Sequence, residues 1–150
     1  MDNTSVEYIV KKIMEEMNND TKYPLSENSA DTIKTKTGKN FNDITFEGVI
    51  TGKIDHEDFK TDPDTLLMQA EIAEKSGKTQ FAENLRRAAE LTNVPDDEVL
   101  RIYDKLRPNR STKQELIVIA NELKNKYNAN KTAALVLETA EIYEKRNILK

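Results

Sequence analysis

The one histidine of the chain, His56, stands in IDHEDF beside Asp55, Glu57 and Asp58, a run of four titratable side chains. Such a run invites metal binding or proton transfer. A zincin helix needs two histidines one turn apart, and a structural zinc site needs four nitrogen or sulfur ligands. Neither spacing is present, so IDHEDF reads as a polar loop ahead of a helix. Asp96, Asp97 and Glu98 are three consecutive acids. Acid–base pairs come from separate elements facing a cleft, whereas acids in a first helical turn answer the helix dipole. Two arginine pairs remain, Arg86-Arg87 and Arg107/Arg110. A guanidinium fork holds phosphate or carboxylate, but it equally caps the last carbonyls of a helix or bridges to a partner's acids. Without catalytic companions, the capping and bridging readings are preferred. GKNF and TGK are too short for phosphate loops. No catalytic, cofactor-binding or metal-ligating residue is assigned.

The bulk composition agrees with a supporting role. The 150 residues suit one domain, with 37% hydrophobic and 33% charged side chains. That is polar for a chain burying a core alone, yet too apolar for disorder. Net charge is −4, which argues against a dedicated nucleic-acid binder. Residues 101–150 hold 11 basic and 6 acidic side chains, against 8 and 12 in residues 1–60. There is no cysteine, which excludes disulfides, thiolate metal sites and cysteine nucleophiles and fits a reducing compartment. No run is long or apolar enough to span a bilayer, and no secretory h-region opens the chain. A cytoplasmic protein is expected.

The elements fall into three segments. In residues 1–20, TSVEYIVKKIMEEM predicts a separate amphipathic helix. Thr4 and Glu7 have capping-box spacing, and Val6, Ile9, Val10, Ile13, Met14 and Met17 make one apolar stripe. Residues 21–61 keep no helical period and read as an extended arm with one short helix, TFEGVITG (45–52), capped by Thr45 and stopped by Gly52. Its large apolar groups either anchor on a partner or fold back over the chain's own helices. From residue 62 the pattern predicts a compact bundle of about five helices. Asp62 caps and Pro63 opens the first, and Gly77 stops it. The second spans about 78–92. Pro108 ends the third, Ser111/Gln114 or Thr112/Glu115 boxes the fourth, and Asn128-Ala129-Asn130 turns into the fifth. The fold class is mainly α.

The run ENLRRAAELTNVPDDEVLRIYDKLRPNRSTKQELIVIANEL (83–123) resembles the small subunit of adenosylcobalamin-dependent diol and glycerol dehydratases. YPL (23–25), TGKNFNDITFEGVITGKI (37–54), TLLMQAEIAEKSG (65–77) and AALVLETAEIYEKRNIL (133–149) continue the likeness in order over about residues 22–149. The resemblance implies an assembly with two copies each of a large, a medium and a small subunit. Adenosylcobalamin lies between the large and medium chains, and a TIM barrel in the large subunit holds the diol. A radical dehydration then gives the aldehyde. The small subunit supplies no catalytic group and grips the large one.

On this footing the candidate subunit contacts are Tyr23, Pro24, Leu25, Phe41, Phe46, Tyr103, Arg107, Pro108 and Arg110. The stripe at Val6, Ile9, Val10, Ile13, Met14 and Met17 is similar to extensions of dehydratases packaged in a bacterial microcompartment. It is therefore the candidate for docking on shell proteins, with packing on the bundle as the alternative. TGKNFNDIT resembles the glycerol type, so propane-1,2-diol and glycerol both stand as substrates. A reading from another class, a free helical adaptor with no dehydratase partner, rests on the same stripe and arm.

Overall fold

The structure, a computed structural model, describes residues 21–150. The N-terminal helix expected in residues 1–20, with its stripe, lies outside the described residues. The described residues form seven α-helices: α1 (Leu25–Asn28), α2 (Phe46–Ile50), α3 (Pro63–Lys75), α4 (Thr79–Leu91), α5 (Asp96–Lys105), α6 (Lys113–Tyr127) and α7 (Asn130–Lys145). Five of them follow residue 62, as the periodicity predicts.

The helix ends show why these residues fold as they do. Asp62 accepts from the Thr65 N–H at 3.1 Å, with Pro63 in the first turn of α3. After α3, Gly77 takes φ +74° and Lys78 N–H donates to the Ala73 carbonyl at 2.8 Å. Only glycine adopts that left-handed turn without cost. The capping box of α6 is Thr112 with Glu115, not Ser111 with Gln114. Ser111 has another task. It is buried, and its hydroxyl donates to the Lys105 carbonyl at 2.8 Å across the corner. Asn109 and Asn128 supply the left-handed residues of the two corners.

Four of the five helices make two hairpins, each with its own core, and α5 packs on the second. In the α3–α4 pair, Ala70, Ala73 and Ala82 are buried with Leu85 against them. Small side chains let these two helices approach closely. The α6–α7 pair buries Leu116, Ile119, Ala120 and Leu123 against Ala133, Val136 and Ala140, joined by Val94 and by Ile102 of α5. The corner after α5 is fastened to the last residues: Asn109 N–H donates to the Ile148 carbonyl at 2.8 Å and Lys150 N–H to the Ser111 carbonyl at 2.9 Å. The Tyr143 hydroxyl donates to the Leu106 carbonyl at 2.6 Å.

One carboxylate joins the hairpins. Ala129 offers no side-chain cap to α7. Glu90, from the last turn of α4, replaces it. Its Oε1 accepts from Lys131 N–H at 2.9 Å, and its Oε2 accepts from Thr132 N–H and from the Thr132 hydroxyl, both at 2.8 Å. Lys131 Nζ returns to Glu83 Oε2 of α4 at 2.7 Å. A carboxylate at a helix N-terminus satisfies orphan donors and meets the positive end of the dipole. Glu90→Ala should therefore cost about 1–2 kcal/mol, and Glu90→Gln less, read as urea midpoints. An unchanged midpoint for Glu90→Ala would mean that the hairpins are joined elsewhere.

Candidate subunit-docking surface

The arm, residues 21–61, is held by polar groups. The expected helix at 45–52 is present as α2, with the Thr45 hydroxyl accepting from Gly48 N–H at 3.1 Å and Gly52 at φ +72°. Gly48 is needed for a second reason: a Cβ there would stand 2.8 Å from Ile54 Cγ1, and Ile54 is buried beneath it. The arm carries more local structure than the single helix expected. α1 and two 3-10 turns, Phe41–Asp43 and His56–Phe59, complete it. Apolar periodicity cannot show such pieces, because one turn is shorter than the period.

Asp58 is the hub of the arm. Its side chain is fully buried, accepts from Lys39 Nζ and the Thr37 hydroxyl, and takes the Asp55 N–H at 2.8 Å. Lys39 Nζ also donates to the Lys53 carbonyl at 2.6 Å. Asp55 returns the capping box by accepting from Glu57 and Asp58 N–H groups. Lys39 first, then Thr37 and the Asp55 backbone, hold the Asp58 carboxyl down at about 2. The IDHEDF run is thus a polar turn ahead of α3, as expected. His56 is exposed with Nδ1 3.3 Å from Glu57 Oε1.

Polar tethers also bind the arm to the helices. Thr21 donates to Glu71 Oε2 at 2.7 Å and Lys36 Nζ to the Thr92 carbonyl at 3.2 Å. The arm is thus tied to the helices through polar groups; Leu25, Ile33 and Ile44 are half-buried and Ile54 buried, while its aromatics and Ile50 are exposed. Phe46 is 82% exposed, Ile50 70% and Phe59 60%.

The candidate contacts fall in three places. Phe41, with Phe59, Ile33 and Ile44, borders an open cavity of about 450 Å³ above the start of α3, and Phe46 projects from α2. Tyr103 is exposed on α5, one turn from exposed Leu100. Arg107 follows it four residues later, with Nη1 3.7 Å from Asp104, while Pro108 and Arg110 are exposed on the corner. Tyr23, Pro24 and Leu25 border a separate cleft of about 620 Å³ with Ile72, Ala73 and Phe81. Ile50, Leu100 and Phe81 are exposed apolar groups that were not among the expected contacts, and Phe59 is one of the arm's expected aromatics. Their positions beside Phe46, Phe41 and Tyr103 were a usable signal.

Several of the other charged groups pair within the chain. Arg86 pairs with Glu74 and with Glu83, rather than capping carbonyls or reaching for a partner. Glu98 takes Arg101 in a fork at 2.9 and 2.5 Å, and Arg101 also reaches Glu122 at 2.7 Å. Thr112 N–H and then Lys105 hold Glu115 at about 2. Among the described residues no group of three metal-ligating side chains converges.

The dehydratase small subunit family matches residues 18–150. Two relatives bear the name propanediol dehydratase small subunit. One, from Citrobacter freundii, is 48% identical over 130 residues, which are 87% of this chain and 76% of the relative. The other, from Salmonella typhimurium (strain LT2), is 47% identical over 128 residues, 85% and 74% respectively.

Because the folded-state value of Asp58 is depressed from 3.8, its contribution to the arm is complete above that value and lost as pH falls through about 2. Protection of the Thr35–Lys39 amides against hydrogen exchange, taken relative to the intrinsic rate at each pH, should fall in acid over that window. Asp58→Asn should already exchange fast at neutral pH and lose the acid step. Retention of the acid step in that variant would place the titrating group elsewhere.

Proposed function

The chain belongs to the dehydratase small-subunit family, and from that membership we propose that it is the non-catalytic small subunit of a diol dehydratase, packed on the large subunit. The observation that carries the docking role is the outward turn of Phe46, Ile50 and Phe59 on an arm held from below by Asp58. Exposed aromatics on a rigid support are what an interface core uses. Tyr103, Arg107, Pro108 and Arg110 form a second, more polar contact, where the basic C-terminal third meets acids of the partner.

The assembled enzyme, on this reading, contains large, medium and small chains, two of each. It converts a vicinal diol to an aldehyde, with propane-1,2-diol favoured by the names of both relatives. Adenosylcobalamin supplies the radical chemistry when bound by the other subunits. The described residues of this chain do not fit it. His56 is an exposed side chain beside Glu57, outside the cavities described, so no step of that chemistry is assigned here. The family match across 18–150 argues against the free adaptor. No helix among the described residues is long and apolar enough to cross a membrane. We place the complex in the cytoplasm, inside a bacterial microcompartment, with the stripe at Val6–Met17 meeting shell proteins.

Co-expression with large and medium subunits should give one co-eluting, diol-dehydrating complex. If those two chains are equally stable and active alone, the proposal fails. Phe46→Asp with Ile50→Asp should weaken binding to the large subunit at least about tenfold, some 1.4 kcal/mol, while the isolated chain melts unchanged. Ile9→Asp with Ile13→Asp should leave the complex assembled but unpackaged, read by co-sedimentation with shells.

A further inference from the structure

The corner after α5 and the last residues of the chain meet at one end of the bundle. Asn109 N–H donates to the Ile148 carbonyl and Lys150 N–H to the Ser111 carbonyl, so corner and tail lie side by side. This pairing gathers cations from three elements. Arg107 and Arg110 stand exposed on the corner, Lys113 opens α6, and Lys145 and Arg146 are exposed at the end of α7. Two of the five meet acids: Arg107 is 3.7 Å from Asp104, and Lys113 pairs with Glu144 at 2.6 Å. Glu141, one turn up α7, is the other acid of this region. Arg110, Lys145 and Arg146 meet no carboxylate among the described residues.

We infer that this basic end is the docking site for a carboxylate-rich segment of a partner subunit, held by Arg107, Arg110 and Arg146, and that it sets how fast the subunits meet. This rests on the small-subunit reading, in which the corner alone met a partner's acids; the tail now joins it in one site.

Helix dipoles account for part of the charge and not for the rest. Cations suit the C-terminal ends of α5 and α7, but Arg110 and Lys113 stand at the N-terminus of α6, where an anion is favoured. An external carboxylate meets both needs. It takes the guanidinium forks bidentately and lies near the positive end of α6. The chain as a whole carries −4. That charge opposes a long polyphosphate, whereas a short acidic segment within about 8 Å of the surface answers to the local cations. Exposed Tyr103 lies one turn before Arg107 on α5, and tyrosine beside arginine is the composition of a protein interface.

Association of the full chain with the complex of large and medium subunits is measured at low and high salt. Arg110→Gln with Lys145→Gln and Arg146→Gln should slow association roughly tenfold at about 50 mM salt, lose the difference at about 500 mM, and change dissociation less. These side chains bond no acid within the chain, so its melting should not move. Lys22→Gln with Lys78→Gln and Lys124→Gln removes the same charge from exposed positions elsewhere and should slow association less than about twofold. Equal slowing by both variants, or none by the first, overturns the site. In the free chain a hexaglutamate peptide should shift the amides of residues 107–113 and 144–150 at low salt. No shift overturns the proposal, and so does a DNA duplex that shifts them at lower concentration. If the unaltered chain binds neither large nor medium subunit, the small-subunit reading falls, and the peptide still decides this site.

Discussion

A single carboxylate governs the relation between the two halves of the bundle. Glu90 closes the N-terminus of α7 from the end of α4, with two backbone donors and a hydroxyl on its two oxygens. The cores on either side are distinct clusters, with Leu91 of α4 packed against the second. Three alanines with Leu85 pack the first hairpin, and leucines, isoleucines and Val136 fill the second. Apolar burial is non-directional and would allow the hairpins many arrangements. Hydrogen bonds to a helix end are directional and allow few. The polar joint at Glu90, with the Lys131–Glu83 pair and the packing of Leu91 against the second core, therefore restricts the angle between the hairpins.

The same division of labour holds in the arm. Burial there is slight: Ile54, Gly48 and Asp58 are its buried members. What orders it is Asp58, gathering Lys39, Thr37 and the Asp55 N–H. A buried carboxylate is costly unless its lone pairs are met, and here three donors meet them. With polar groups facing in, Phe46, Ile50 and Phe59 face out. An arm built this way leaves its apolar surface unburied within its own chain.

Much of the fold could be read from the sequence because helix ends are local. Asp62 and Thr65, Thr112 and Glu115, Thr45 and Gly48 are separated by three residues, and the caps appear where expected. Gly52, Gly77, Asn109 and Asn128 mark turns by what φ > 0 requires. Glu90 and Asp58 were not legible in this way. Their partners lie 41 and 42 residues away for Glu90, and 19 and 21 for Asp58. Local spacing shows only the Asp55–Asp58 box and nothing of the distant partners. Arg86 was misread for the same reason, since one of its carboxylates, Glu74, belongs to the neighbouring helix. Ser111 was one of two candidate caps, and the buried corner gives it a bond to the Lys105 carbonyl that spacing does not show. The candidate docking surface was half legible: Phe41, Phe46 and Tyr103 stand out by type, while the exposure of Ile50 and Leu100 beside them is seen only in the folded geometry.

The outward aromatics of the arm carry a consequence for supply. Under the docking role proposed for them, Phe46, Ile50 and Phe59 would face water in every copy made in excess of its partner. Exposed patches of that sort promote self-association and draw quality control. The arm thus penalises unequal production. Its sequence is suited to a protein made in step with its partner, and the geometry that favours assembly also limits how long an orphan copy persists.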